Sequence, residues 1–168
     1  MQFGLLLRHS RITVLRWMIV EAVPVLNTFR RRSEWHYSVD SLRQFPPGTW
    51  GANLAQFLDR RGFEDFLPNY EAHDAFHTLL DYETDVVGEL RLQAFMVGNG
   101  SVSFAGHVLF GLGCVLLPEL WSQLRTDFAR GHQSPHVRVW DVGSMLGENL
   151  TDLKLRLATR LDLDAGLV

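Results

Sequence analysis

Apolar residues recur along this chain at intervals of three and four, the spacing that gathers side chains onto one side of an α-helix. Over residues 3–29 the positions Leu6, Ile12, Leu15, Ile19, Val23 and Leu26 follow that spacing, and Pro24, which lacks an amide donor, is expected to bend or end the helix. Gln44 to Gly51, QFPPGTWG, concentrates proline and glycine and predicts a structured turn. Beyond it Leu54, Phe57 and Leu58 predict a helix capped by Asn53 and stopped at Gly62. Pro68 and Asn69 open the next helix, which should run from about Asn69 to Leu80. Asp81 to Thr84 forms a polar break, with Thr84 or Asp85 as the following cap. A further helix from about Asp85 to Val97 ends at Gly98-Asn99-Gly100, where glycine and asparagine accept the positive φ of a helix stop.

Val102 to Leu117 is uncharged, contains three glycines and is shorter than the ~20 residues a membrane-spanning helix needs, so it predicts a buried core helix. It is expected to continue past Pro118 into the amphipathic stretch Glu119 to Ala129 and to stop at Gly131-His132. Leu150, Leu153, Leu157 and Leu161 form the apolar stripe of the last helix. Only Val137-Arg138-Val139-Trp140 alternates like a strand, and it is too short to define a sheet. The pattern therefore predicts an all-α fold: a single compact helical domain over residues 1–168, with 1–43 as an N-terminal amphipathic helix and basic segment and 44–168 as the helical core. At 168 residues the chain can bury such a core without disulfides.

Composition adds three constraints. Cys114, the sole cysteine, sits in an apolar run and is expected to be a buried thiol in a reducing compartment. The net charge of -3 argues against nucleic acid as a partner, because phosphate affinity comes from clustered basic side chains. Residues 1–43 nevertheless carry seven arginines against three acids, so this end is either a solvated face or a contact for anionic lipid. The first apolar stretch is interrupted by Arg8, Arg11 and Arg16 and shows no small-residue cleavage site, which favours a cytoplasmic protein, peripheral at most on the inner face of a membrane.

The candidate chemistry lies at the polar break. On a helix each residue turns by about 100°, so His73 and His77 stand one above the other, with Asp74 on the same surface. Both imidazoles can meet one ion, and Asp74 can act as a third ligand or orient a ligating ring. Glu89 is twelve positions further on; a reversal at Asp81 to Thr84 would bring it opposite the histidines, as in helical metal sites built from facing side chains. Two nitrogens with one or two carboxylates suit a divalent transition metal. Catalytic zinc and the ferrous facial triad fit this donor set equally; zinc heads the expectations, with iron, cobalt or magnesium as alternatives. Taken alone, His-Asp-x-x-His is also what a hydrogen-bonded surface patch looks like. The other histidines (His9, His36, His107, His132 and His136) show no comparable spacing. Gly106, Gly111 and Gly113 remove bulk from the apolar helix, either for close helix packing or for an alkyl chain.

The full string His73-Asp74-x-x-His77, eleven residues, Glu89 resembles the metal motif of the Coq-four family of ubiquinone (coenzyme Q) biosynthesis. The likeness extends to Pro47-Gly48-Thr49-Trp50-Gly51, similar to the family's Pro-x-Gly-Thr-Leu-Gly turn, to Gly88-Glu89 and Phe95, and to Trp140-Asp141. It covers about residues 40 to 163. Asp81 departs from it by standing where the family usually has a glycine, and the stretch between Gly51 and His73 is shorter than usual. The resemblance implies a helical fold, a divalent metal on His73, Asp74, His77 and Glu89, a prenylated lipid or quinone precursor as ligand, and oxidative removal of a ring carboxyl group. The alternative is a non-catalytic lipid-binding scaffold for a biosynthetic complex at a membrane, and the many apolar helices suit a homodimer. A metal phosphohydrolase is a weaker fit, for want of a second His-Asp pair or a glycine-rich phosphate loop.

Overall fold

Most helices begin where a short polar side chain takes up a free amide of the first turn. Ser38, Thr49, Asp85, Ser103 and Asp141 each accept from the amide three residues on, which satisfies a donor that has no partner inside the helix. The computed structural model describes residues 2–22, 35–66 and 70–158. Among these are nine α-helices: α1 (Gln2–Trp17), α2 (Val39–Leu42), α3 (Trp50–Asp59), α4 (Glu71–Leu80), α5 (Val86–Gly98), α6 (Phe104–Leu116), α7 (Trp121–Gln133), α8 (Val142–Met145) and α9 (Leu150–Ala158). No strand occurs among the described residues, so the all-α expectation holds. Val137–Val139, the one strand-like stretch, is a 3-10 turn.

The centre is α5. Nine of its thirteen residues are buried, because it is covered on two sides. Leu92, Phe95 and Met96 belong to one apolar cluster with Trp50, Leu54, Phe57 and Leu58 of α3, Ala75, Phe76 and Leu79 of α4, and Leu153 and Leu157 of α9. Val86, Leu90 and Ala94 belong to a second cluster with Leu15 of α1, Leu109 of α6 and Leu124 of α7. The first helix meets this second cluster through Ile12 and Leu15, and Ile19 joins them from the π-helical turn, Met18–Ala22, that follows, as the periodicity predicts. Pro24, Val23, Leu26, Pro68, Asn69 and Leu161 lie outside the described residues.

Several local expectations are corrected. Thr49, not Asn53, caps α3, so the helix starts earlier and Asn53 lies inside it, donating its side-chain amide to the Thr49 carbonyl at 2.8 Å. Residues 102–133 do not form one continuous helix: the axis turns by 101° at the break before Pro118, where the Pro ring cannot continue the helix. Gly131 does not stop α7 but lies within it, and its lack of a β-carbon admits the Phe95 carbonyl of α5, with which one would collide. Gly98 allows the reciprocal approach to Phe128. Nor is α6 a fully buried core helix: Phe104 and Val115 are 77% and 75% exposed, and Cys114 is only half-buried. Of its glycines, Gly106 and Gly113 let the helix close against Gln93 and Leu90 of α5, while Gly111 faces open space. No single helix among the described residues is long and apolar enough to cross a membrane.

Candidate metal centre

The turn that opens α3 is what sets the site's floor. Gly48 adopts φ +88°, Thr49 caps the helix, and Trp50, fully buried, donates its indole N–H to the Ala75 carbonyl at 3.0 Å and the Thr78 hydroxyl at 2.9 Å. These bonds fix α3 against α4 on the turn that carries His77. Phe57, two turns further along α3, stacks on the His77 ring at 6.0 Å between centroids and 22° between planes. His77 is thereby sealed from solvent on one side; its side chain is 0% exposed.

Asp81 ends α4 in the left-handed conformation, φ 59° and ψ 42°, which a β-carbon disfavours and glycine accepts freely. It is the sole non-glycine with positive φ among the described residues, and its carboxylate is held by Lys154 of α9 at 2.6 and 2.7 Å. This reversal returns Tyr82 to the helix end: the Tyr82 amide donates to the His77 carbonyl at 3.1 Å, and the His77 ring Nδ1 donates to the Tyr82 carbonyl at 3.1 Å. Gly88 then lets the first turn of α5 lie against Glu83, since any β-carbon there would strike the Glu83 backbone. Glu89, next along, is presented to the histidines. The helix pair expected to carry the site is thus α4 and α5.

Three donor groups converge. His77 Nε2 is 3.1 Å from His73 Nε2 and 3.1 Å from Glu89 Oε1; His73 Nε2 is 3.4 Å from Glu89 Oε1 and 3.2 Å from Oε2. A carbonyl only accepts, so the bond to Tyr82 places the His77 proton on Nδ1 and leaves a lone pair on Nε2. His73 Nε2 and the Glu89 carboxylate face that lone pair. Only a proton or a cation can sit favourably among three such atoms. Ligands about 2.0–2.1 Å from a tetrahedral zinc stand roughly 3.3 Å from one another, and the observed separations of 3.1 to 3.4 Å fit. His77 and Glu89 form the closed side and His73, with 26% of its side chain exposed, the side open to approach.

Electrostatics agree with a cation-accepting cluster. Burial alone would raise the Glu89 carboxyl, but the charge and hydrogen bond of His73, with a smaller contribution from His77, overcome it and hold Glu89 well below the usual carboxylate range. Burial opposes a charge on His73, yet the Glu89 carboxylate raises its basicity above the ordinary histidine value. Asp74 lies outside the convergent trio, whose donor atoms all lie within 4.8 Å of one another. Burial, reinforced by Glu89 and Glu71 and opposed by the two histidines, pushes its carboxyl up to about 6. Asp74 is therefore coupled to the site by charge. Among the other histidines, Nδ1 of exposed His107 donates to the Ser103 carbonyl and that of His136 to Asn99, as expected of singly bonded rings.

Sequence reasoning missed the groups that hold this arrangement. Asp127 of α7 is 3% exposed, accepts the Tyr82 phenol O–H at 2.6 Å and pairs with Arg91 at 2.8 and 3.2 Å. Burial and the neighbouring Asp127 carboxylate raise the Tyr82 phenol well above its ordinary range, so it stays a neutral donor. A signal was present: Leu120, Leu124, Asp127 and Gly131 share one buried stripe, and an acid in an apolar stripe implies a partner inside.

The fold has a relative of known structure. A protein of Nostoc punctiforme, provisionally named a ubiquinone biosynthesis protein, superposes with a TM-score of 0.59 at 21% identity, over 90% of this chain and 81% of its own. At that identity the likeness concerns the fold. No protein-family profile and no curated protein matches the sequence.

Proposed function

We propose that this protein binds one divalent metal ion on His73, His77 and Glu89 and acts on the ring of a polyprenyl lipid in the biosynthesis of ubiquinone or a related prenyl-quinone. The observation that carries the metal reading is the convergence of two imidazole nitrogens and a carboxylate, with the His77 tautomer set by Tyr82. The lipid reading rests on the fold shared with the Nostoc punctiforme protein and on the motif resemblance, which also implies oxidative removal of a ring carboxyl group.

An ion bound there supplies a Lewis acid next to the approach left open by His73. Glu89 offsets the ion's charge inside a buried setting. His77 is held in its ligating tautomer without having to reorganise. Asp74, with its carboxyl near 6, can hold or release a proton near neutral pH beside the centre, to which it is coupled by charge. Zinc and ferrous iron both accept this donor set; cobalt serves as a spectroscopic stand-in.

A second reading, a non-catalytic lipid-binding scaffold at a membrane surface, is favoured by the outer face of α6 and α1. Phe104, Val115 and Trp17 are 77%, 75% and 62% exposed, and Arg8, Arg11 and Arg16 lie on α1 with no acidic residue before Glu21. The same apolar face would suit a second copy of the chain. Native mass spectrometry with elemental analysis on gently purified protein tests both readings. One transition metal per chain together with a bound prenyl lipid supports the proposal, and metal-free protein from metal-replete cells refutes its first half. Metal and lipid without turnover, with a chelator lowering thermal stability, selects the scaffold.

A further inference from the structure

Helix α7 contributes no ligand to the metal centre, yet it touches both ligand-bearing helices at the points where they join. Asp127 accepts the Tyr82 phenol at 2.6 Å, and the carbonyl of this same Tyr82 takes the proton of His77 Nδ1. Through its bond to Arg91 at 2.8 and 3.2 Å, Asp127 also grips α5 two residues beyond Glu89. Three residues along α7, Arg130 donates to the Leu80 carbonyl at the end of α4 (3.2 Å) and to the Tyr82 hydroxyl (3.4 Å). The guanidinium groups of Arg91 and Arg130 lie 4.9 and 5.7 Å from the Tyr82 ring centroid, so the ring is held by cations as well as by its hydroxyl.

The mount is rigid. Gly98 and Gly131 bring the α5 and α7 backbones into direct contact. Asn99 then ties the end of α7 by donating its side-chain amide to the carbonyls of Gly131 and Pro135 at 3.1 and 2.9 Å. A buried carboxylate with an arginine and a phenol is costly to desolvate and adds little net stability compared with apolar packing. It supplies direction, which a metal site needs.

We propose that Asp127 is a positioning residue of the metal centre: through Tyr82 it fixes the His77 tautomer and ring, and through Arg91 it fixes the register of Glu89 against them. The proposal rests on the metal reading above for its affinity readout, but its structural half can be read in metal-free protein.

The experiment uses the full chain with Asp127→Asn and Tyr82→Phe, and with Arg156→Gln, which breaks an exposed pair with Glu148, as control. Cobalt and zinc affinities are measured by competition with a chromophoric chelator, and 15N NMR of the histidine side chains reports the His77 tautomer in the metal-free state. Outer-shell partners of ligating histidines are worth roughly ten- to hundred-fold in affinity, and a loss of that size is expected for Asp127→Asn, with altered cobalt d–d bands and a His77 no longer locked as the Nδ1–H form. Tyr82→Phe removes only the hydroxyl and keeps the carbonyl, so a smaller loss in the same direction is expected; it carries the test if Asp127→Asn does not fold. Arg156→Gln should match the wild type. Folded variants with wild-type affinity and an unchanged His77 tautomer overturn the proposal. If the wild type binds neither metal, the metal reading fails on its own, and the NMR comparison still decides whether Asp127 positions His77.

Discussion

The two sides of α5 show two different ways of joining helices. Toward α4 it presents Glu89 to two histidines, with Arg91 two residues on gripping Asp127 of α7, and these polar contacts depend on direction. Toward α6 it presents Leu90 and Ala94, and the contact depends on closeness: Gly113 lets α6 sit against Leu90, and Gly106 lets it sit against Gln93. The polar side is braced by three further elements, namely α3 through Trp50, α9 through Lys154 and α7 through Asp127. The apolar side needs no such bracing, since dispersion and the hydrophobic effect tolerate small rotations that a hydrogen bond does not. The cost appears on the outer face of α6, where Phe104 and Val115 remain uncovered.

Breaking the polar side should give the largest effect on metal. His77→Ala removes the fully buried member of the trio, and titration with zinc or cobalt should show affinity reduced by more than roughly the hundred-fold seen for outer-shell losses, while far-UV circular dichroism stays helical. Unchanged affinity would show that the three groups form a hydrogen-bonded cluster and no metal centre.

Acid sharpens the same contrast. The proton that Glu89 favours on His73 competes with the ion, so below the raised His73 pKa the metal Kd should rise about ten-fold per pH unit, and above it the curve should flatten. The fold of the metal-free chain responds with the opposite sign. His73 is raised from 6.5, so its contribution to stability is complete below pH 6.5 and is lost as pH climbs through the folded value. Calorimetric metal titrations and thermal melts of the metal-free protein across pH 5.5 to 8 measure the two trends; a pH-independent affinity would contradict the first.

On the apolar side the effect should depend on which glycine is changed. Gly113→Ala pushes a methyl into buried Leu90 and should destabilise by about 1 kcal/mol. Gly111→Ala meets nothing and should stabilise by about 0.5–1 kcal/mol, because alanine loses less backbone entropy in a helix. Urea melts of the pair read the signs directly, and equal signs would remove the close-packing account of α6. The smallest effect belongs to its outer face: Phe104→Ser should change stability by less than about 0.5 kcal/mol, since the ring is 77% exposed. A larger loss in dilute solution would mean that this face is covered by a second copy of the chain, and analytical ultracentrifugation at the same concentrations would show it.

Much of this was legible in the residues. The polar break at Asp81 to Thr84, the Asp85 cap and the His73–His77 spacing are local properties, set by backbone preference and helical geometry within one or two turns. Asn53 was misread as a cap because it precedes the apolar residues, whereas Thr49 sits where the backbone is still extended. The bend at Pro118 is masked because helical spacing of apolar residues resumes beyond it at Leu120, Trp121 and Leu124, although the missing amide makes continuation unfavourable. Asp127 went unnoticed because its partners, Tyr82 and Arg91, are 45 and 36 residues away in sequence.

By itself the sequence determined the helices and the types of donor atom at the centre, because caps, periodicity and side-chain chemistry act over a few residues. Only the tertiary structure decided that Glu89 joins His73 and His77 while Asp74 is left outside the trio, and that α6 lies at the surface. Those outcomes depend on how far α4, α5 and α7 approach one another. That distance is set by glycines and buried ion pairs on separate helices, and becomes readable only when they are packed together.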